Sequence, residues 1–173
     1  SEIKEIAKLS LPRTLGLGLN QFVFIFIIGT ASFLAAGSIA VFTFSYNIQY
    51  VILGVVGFSY SVAAFPTLTK FFVKNQRKEF LDIVVSASRH IIFWTLPATA
   101  LFVVLRAQIV RVILGSGEFS WSDTRLTAAG LALFAISLTA QSLVVLFVRS
   151  FYAAGKTRRP LIINIYSYVF IVI

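Results

Sequence analysis

Four long stretches of this chain carry no charged side chain: residues 14–69, 90–105 (with His90 neutral), 126–148 and 160–173. Lysines, arginines and acids are confined to the segments between them. A helix that crosses a bilayer needs roughly 20 apolar residues at about 1.5 Å each, so the pattern reads as an all-α, polytopic membrane protein. The first run is long enough for two crossings. Its expected break is Ala35-Ala36-Gly37-Ser38, where Gly37 ends one helix and Ser38 caps the next. The expected spans are about 11–33, 39–65, 91–114, 124–147 and 160–173, four complete transmembrane helices and a truncated fifth in one membrane domain, 1–173. Pro66 is expected to close the second span and Pro97 to kink the third. Asp123 is the expected N-cap of the fourth, and Pro160 suits the first turn of the fifth.

Composition agrees with this reading, because 58% of residues are hydrophobic and only 12% charged, about half the charge of a soluble domain. A net charge of +9 would suggest a nucleic-acid partner in a soluble chain. The cations are instead segregated by connection, so no nucleic acid is expected. Lys4, Lys8, Arg13, Lys70, Lys74, Arg77, Lys78, Arg89, Arg149, Lys156, Arg158 and Arg159 fall in alternate connections, against Arg106, Arg111 and Arg125 in the others. By the excess of cations in cytoplasmic loops, the N-terminus and the connections at 66–89 and 149–159 are expected in the cytoplasm. The segment 67–89 alternates Phe71, Phe72, Phe80 and Leu81 with its cations. It is expected to lie as an amphipathic helix on the cytoplasmic leaflet, each cation contributing about 1 kcal/mol against anionic lipid. Phe119 and Trp121 suit the opposite interface. Ser32-Phe33-Leu34-Ala35-Ala36-Gly37 is similar to Ser150-Phe151-Tyr152-Ala153-Ala154-Gly155, a hint of an inverted repeat that an Ala-rich chain also produces by coincidence.

Chemistry is sparse. Without cysteine, with one histidine and with all six acids in connections, the chain offers no catalytic residue, no metal site and no cofactor site, and is not expected to be an enzyme. The absence of Met and an end inside an apolar run suggest a piece of a longer protein. Gly16, Gly18, Gly54 and Gly57 read as packing surfaces between helices. Polar groups inside a bilayer cost free energy unless paired or wetted, which singles out Arg13, Asn20 and Gln21 in the first span and Asn47 and Gln49 in the second. These are the substrate-cavity candidates. The competing reading is that the amides only join helices and that Arg13 snorkels to the interface.

The order of several short motifs is specific. Leu11-Pro12-x-x-Leu15-Gly16, Ala31-Ser32-Phe33-Leu34-Ala35-x-Gly37-Ser38, Gly54-x-x-Gly57 and Pro66-x-Leu68-x-Lys70 resemble the seventh and eighth helices of the MurJ/MviN lipid II flippase family. Gly117-x-Phe119 with Asp123-Thr124, and Arg149-x-Phe151-Tyr152-Ala153 with Thr157-Arg158-x-Pro160, are similar to its ninth-to-eleventh-helix region. The resemblance implies part of the C-terminal lobe of a fourteen-helix transporter in the bacterial inner membrane. Its expected partners are a lipid-linked peptidoglycan precursor, membrane lipids, the N-terminal lobe and the last helices of the parent chain. It also implies a cavity-facing Arg where this chain has Asn47, and in some members a cation-binding side chain where this chain has Ile27. The alternatives are export of another lipid-linked glycan or a drug, and a non-transporting membrane scaffold in cell-wall synthesis.

Overall fold

The computed structural model describes Thr14, Gly18 and residues 21–115 and 120–172, with side chains up to residue 167. Helices α1 (Gln21–Ala31), α2 (Ser38–Ile52), α3 (Ser59–Val73), α4 (Arg77–Val104), α5 (Arg106–Leu114), α6 (Trp121–Ala153) and α7 (Arg158–Val172) follow one another, with no strand among the described residues. A π-helical stretch, Leu53–Phe58, joins α2 to α3 without a break. Three rods, Ser38–Val73, Arg77–Val104 and Trp121–Ala153, are long and apolar enough to cross a membrane.

α6 is the hub, packed against α2, the π-helical stretch, α3, α4 and α5. Its buried positions, Thr124, Ala128, Leu131, Ala135, Leu138, Ser142, Leu146, Ser150 and Ala153, recur every three or four residues and so form one stripe. Ser45 of α2 meets Thr127 and Gly130, and further along Gly57 meets Ser142, so the first rod and α6 run parallel. α4 runs the other way: Ile91 packs against Leu146, while the Thr99 hydroxyl reaches the Ala135 carbonyl at 3.2 Å.

The distribution of side chains is that of a protein in hydrocarbon. Large apolar groups such as Leu133, Ile136, Val144, Phe93, Trp94 and Val112 lie on the surface, whereas Ser45, Gln49, Ser61, Thr95, Thr124, Thr127, Ser142 and Ser150 are buried. Lipid is as apolar as leucine, so helices gain by close approach and hydrogen bonding, which favours small and hydroxyl-bearing residues at the contacts. Most of the buried hydroxyls need no distant partner. Ser45, Ser61, Thr95, Thr124, Ser142 and Ser150 each donate to the carbonyl four residues earlier on their own helix, at 2.6–3.0 Å, the usual solution for such side chains within helices.

Several boundaries differ from the sequence expectation. The helix expected to stop at Pro66 continues through it to Val73, losing the hydrogen bond that would run to Val62 but avoiding the larger cost of ending a helix in hydrocarbon. In place of an amphipathic helix over 67–89, the ends of α3 and α4 form a hairpin around Lys74, Asn75 and Gln76, closed by edge-on contact of Phe72 and Phe80 at 6.2 Å. The second rod, where a span over 91–114 was expected, starts at Arg77 and bends at Leu105, beyond which α5 continues. There the Arg106 guanidinium donates to the Val103 carbonyl at 2.6 Å, which supplies a partner where the helix ends. Ser120, not Asp123, is the N-cap of α6. Asp123 is the reciprocal member of a capping box, with the Asp123 amide donating to the Ser120 hydroxyl and the Ser120 amide donating to the Asp123 carboxylate. Gly37, not Ser38, precedes the first residue of α2, with φ at +91°, a conformation glycine adopts without strain. Trp121 sits in the first turn of α6 with the Arg111 guanidinium 5.9 Å from its ring; Phe119 lies outside the described residues.

Candidate functional site

Of the five substrate-cavity candidates, Arg13 and Asn20 lie outside the described residues, and Gln21, in α1, is exposed. Asn47 and Gln49 are not brought together. Two residues apart on a helix means about 200° of rotation, so the side chains point to nearly opposite sides of α2. Asn47 is exposed, as is Tyr50 three residues on. Gln49 shares the seam toward α6 with Ser45, Ile48 and Leu53 and is fully buried.

Neither Gln49 Nε2 nor Oε1 has a protein hydrogen-bond partner among the described residues, and the same holds for the buried Thr127 Oγ1. A hydroxyl on a helix can return to its own backbone, but the longer glutamine amide here does not. Ser45, between them in the seam, is satisfied twice, donating within reach of the Val41 and Thr127 carbonyls at 2.7 and 2.9 Å.

Beside the amides runs an aromatic ladder that composition alone did not reveal. Phe42, Tyr46 and Tyr50 are spaced four apart on α2, with ring centroids 6.2 and 5.7 Å apart. Phe24 of α1 lies 5.6 Å from Tyr46, and Phe134 of α6 lies 5.5 Å from Phe42 and 5.8 Å from Tyr46. Tyr50 continues to Phe58 at 6.0 Å, and the Arg149 guanidinium lies 5.9 Å from that ring, within the range of a cation–π contact. The signal available in the sequence was the four-residue spacing itself, which stacks side chains on one helix face. The ladder joins α1, α2, the π-helical stretch and α6, and within it only Tyr46 and Tyr50 carry a hydroxyl that can hydrogen-bond. Midway along α4, His90 stacks on Tyr60 at 5.8 Å and its Nδ1 lies 2.8 Å from the Ser86 carbonyl, a structural use of the one histidine.

Membrane-length rods, hydroxyl-lined helix contacts and an exposed amide beside stacked rings define a polytopic helical membrane protein with polar groups placed within its spans. The chain matches the family described as Lipid II flippase MurJ over residues 1–173, and it belongs to that family. Among its relatives, a probable lipid II flippase MurJ of Rickettsia prowazekii is 30% identical over 158 residues, covering 91% of this chain and 31% of the relative. That of Bdellovibrio bacteriovorus is 26% identical, covering 96% and 32%, and that of Thermotoga maritima is 28% identical, covering 83% and 29%. The chain thus spans about a third of the length of these relatives. No solved structure matches it.

Proposed function

We propose that this chain is part of a flippase that moves lipid II, the lipid-linked peptidoglycan precursor, from the inner to the outer leaflet of the bacterial inner membrane by alternating access. The observation that carries the reading is the family match over all 173 residues. No nucleotide or cofactor is needed. An anionic headgroup leaving an inside-negative cell gains about 2.3 kcal/mol per charge per 100 mV. In this reading Asn47 and Tyr50 belong to the wall of the translocation path, with Arg13, Asn20 and Gln21 contributing from the first span, and the N-terminal lobe and last helices of the parent completing it.

The orientation follows the charges. Lys70, Lys74, Arg77 and Lys78 flank the α3–α4 turn, Arg149, Lys156, Arg158 and Arg159 flank the α6–α7 turn, and both turns line one groove. Two basic turns at the same end of the bundle support a cytoplasmic assignment for that end, and with it a cytoplasmic N-terminus.

The test is to express the full-length parent in bacteria depleted of their own lipid II flippase and follow growth and the outward appearance of labelled lipid II. Rescue with translocation is expected. Insertion in the membrane without translocation would overturn the reading and favour the scaffold alternative, to which Asn47 already points, since the resemblance implies an Arg at that position.

A further inference from the structure

The turn after α3 and the turn after α6 are built alike. In the first, the Gln76 amide donates to the Phe71 carbonyl and the Asn75 amide to the Phe72 carbonyl, both at 3.0 Å, with Asn75 at φ +55°. In the second, the Lys156 amide donates to the Phe151 carbonyl at 2.9 Å and the Gly155 amide to the Tyr152 carbonyl at 3.0 Å, with Gly155 at φ +67°. Each is a Schellman ending, in which a left-handed residue turns the chain back across the last helical carbonyls. The local repeat in the chain is therefore Phe71-Phe72 through Asn75-Gln76 with Phe151-Tyr152 through Gly155-Lys156. The hexapeptide similarity noted above shares only a left-handed glycine, because residues 32–37 lie outside a helix whereas Ser150 to Ala153 close α6.

Both turns open on one groove of about 730 Å³, within the size range of small-molecule sites. Its walls are apolar and largely aromatic: Phe71, Phe72 and Phe80 from the first hairpin, Phe147 and Phe151 from α6, and Ile163 from α7. Its polar lining consists of Arg77, Lys156, Asn75, Asn164 and Ser150, without a carboxylate. Neither Arg77 nor Lys156 is tied to an acid among the described residues. The neighbouring cations Lys74, Lys78, Arg158 and Arg159 raise the local potential. Glu79 and Asp82 on α4 offset part of it from outside the lining.

We propose that this groove is a binding site for an anionic phospholipid of the bilayer, its phosphate held between Arg77 and Lys156 and its acyl chains lying along the phenylalanine walls. The two halves of the groove match the two halves of such a ligand. The cations sit at the turns that end membrane-length helices, where headgroups lie, and the aromatic walls begin one turn deeper. A free phosphate would leave those walls uncovered. A lipid of zero net charge, whose own ammonium offsets its phosphate, would gain less from Arg77 and Lys156, and a groove without acids offers a polypeptide no partner for its own cations. The groove lining shares no residue with the translocation path proposed above, and its occupancy is read without any transport measurement.

The experiment uses the full-length parent purified into nanodiscs of phosphatidylcholine with and without phosphatidylglycerol. Photoactivatable phosphatidylglycerol reports position, and native mass spectrometry reports retention. Cross-links are expected within 71–84 and 144–164, with photoactivatable phosphatidylcholine giving few. Each cation contributes about fivefold, so Arg77→Gln with Lys156→Gln is expected to cut phosphatidylglycerol retention about thirtyfold. Arg77→Lys with Lys156→Arg keeps the charge and is expected to keep the lipid. Lys78→Gln with Arg159→Gln removes the same charge outside the lining and is expected to change retention little. Equal losses in both neutralised pairs would mean diffuse surface attraction and overturn the proposal. So would equal labelling by phosphatidylcholine, or cross-links from groove positions to another segment of the parent chain.

Discussion

Replacing Gln49 by leucine tests the buried seam most directly. The side chain is inaccessible to solvent, and neither polar atom of its amide meets a protein partner among the described residues. An unsatisfied buried polar group costs about 1–3 kcal/mol in a water-soluble protein. In a bilayer the reference state also lacks water, and measured interhelical polar contributions average nearer 0.6 kcal/mol. Gln49→Leu keeps most of the volume and removes both unpaired groups, so the α2–α6 packing is expected to gain about 1 kcal/mol, or roughly fivefold in population. The assay is the unfolding midpoint of the purified full-length parent, wild type against Gln49→Leu, with Thr127→Val as a second relief of an unpaired hydroxyl. Both midpoints are expected to rise, and Gln49→Glu, which buries a charge, to fall sharply. A parent that samples a second packing of α2, with the amide wetted, would be held in the packed state by leucine and turn over about fivefold more slowly. A loss of more than about 1 kcal/mol in Gln49→Leu would refute the reasoning, because it would mean that the amide is bonded in the intact protein.

Other substitutions separate close packing from open space. A Cβ on Gly57 would lie 3.1 Å from the Ser142 Cα, whereas one on Gly54 meets nothing within 4 Å. Gly57→Val is therefore expected to lower the melting midpoint of the parent clearly, and Gly54→Ala to leave it unchanged or raise it by the equivalent of about 0.5–1 kcal/mol in helix propensity. Ser120→Ala removes one arm of the α6 capping box and is expected to cost about 1 kcal/mol in the same measurement. Asn47→Arg is expected to leave expression and melting near wild type because the position is exposed. Gln49→Arg, two residues away on the buried seam, is expected to abolish accumulation of folded protein in membranes, and equal behaviour of the two would contradict the assigned faces.

Run lengths between charges put the expected spans 39–65 and 124–147 inside the rods Ser38–Val73 and Trp121–Ala153, whereas the span expected at 91–114 straddles the bend at Leu105 between α4 and α5, and the segregation of cations was enough to put Lys70 to Lys78 and Arg149 to Arg159 together at one end. Both are sums over many residues along the chain, so local detail does not disturb them. Helix ends were less legible. Pro66 lies inside a helix because hydrocarbon penalises an open backbone more than a missing hydrogen bond, and Ser120 caps α6 because its hydroxyl, rather than the Asp123 carboxylate, meets the orphan amide. Which face of each helix packs inward was not legible. In a soluble protein, apolar periodicity marks the buried side of a helix, but here Leu133 and Val144 are exposed while Leu131 and Leu138 share the helix contacts with serines, threonines and Gln49. The sequence by itself thus determined the membrane, the family and the charge polarity of this chain. The tertiary structure alone decided that Asn47 is exposed and Gln49 buried, that aromatic rings from three helices form a ladder, and that two distant Schellman turns share a groove. Those facts depend on the rotation of each helix about its axis, which close packing sets and apolar solvent on every outer face leaves unmarked in the pattern of residues.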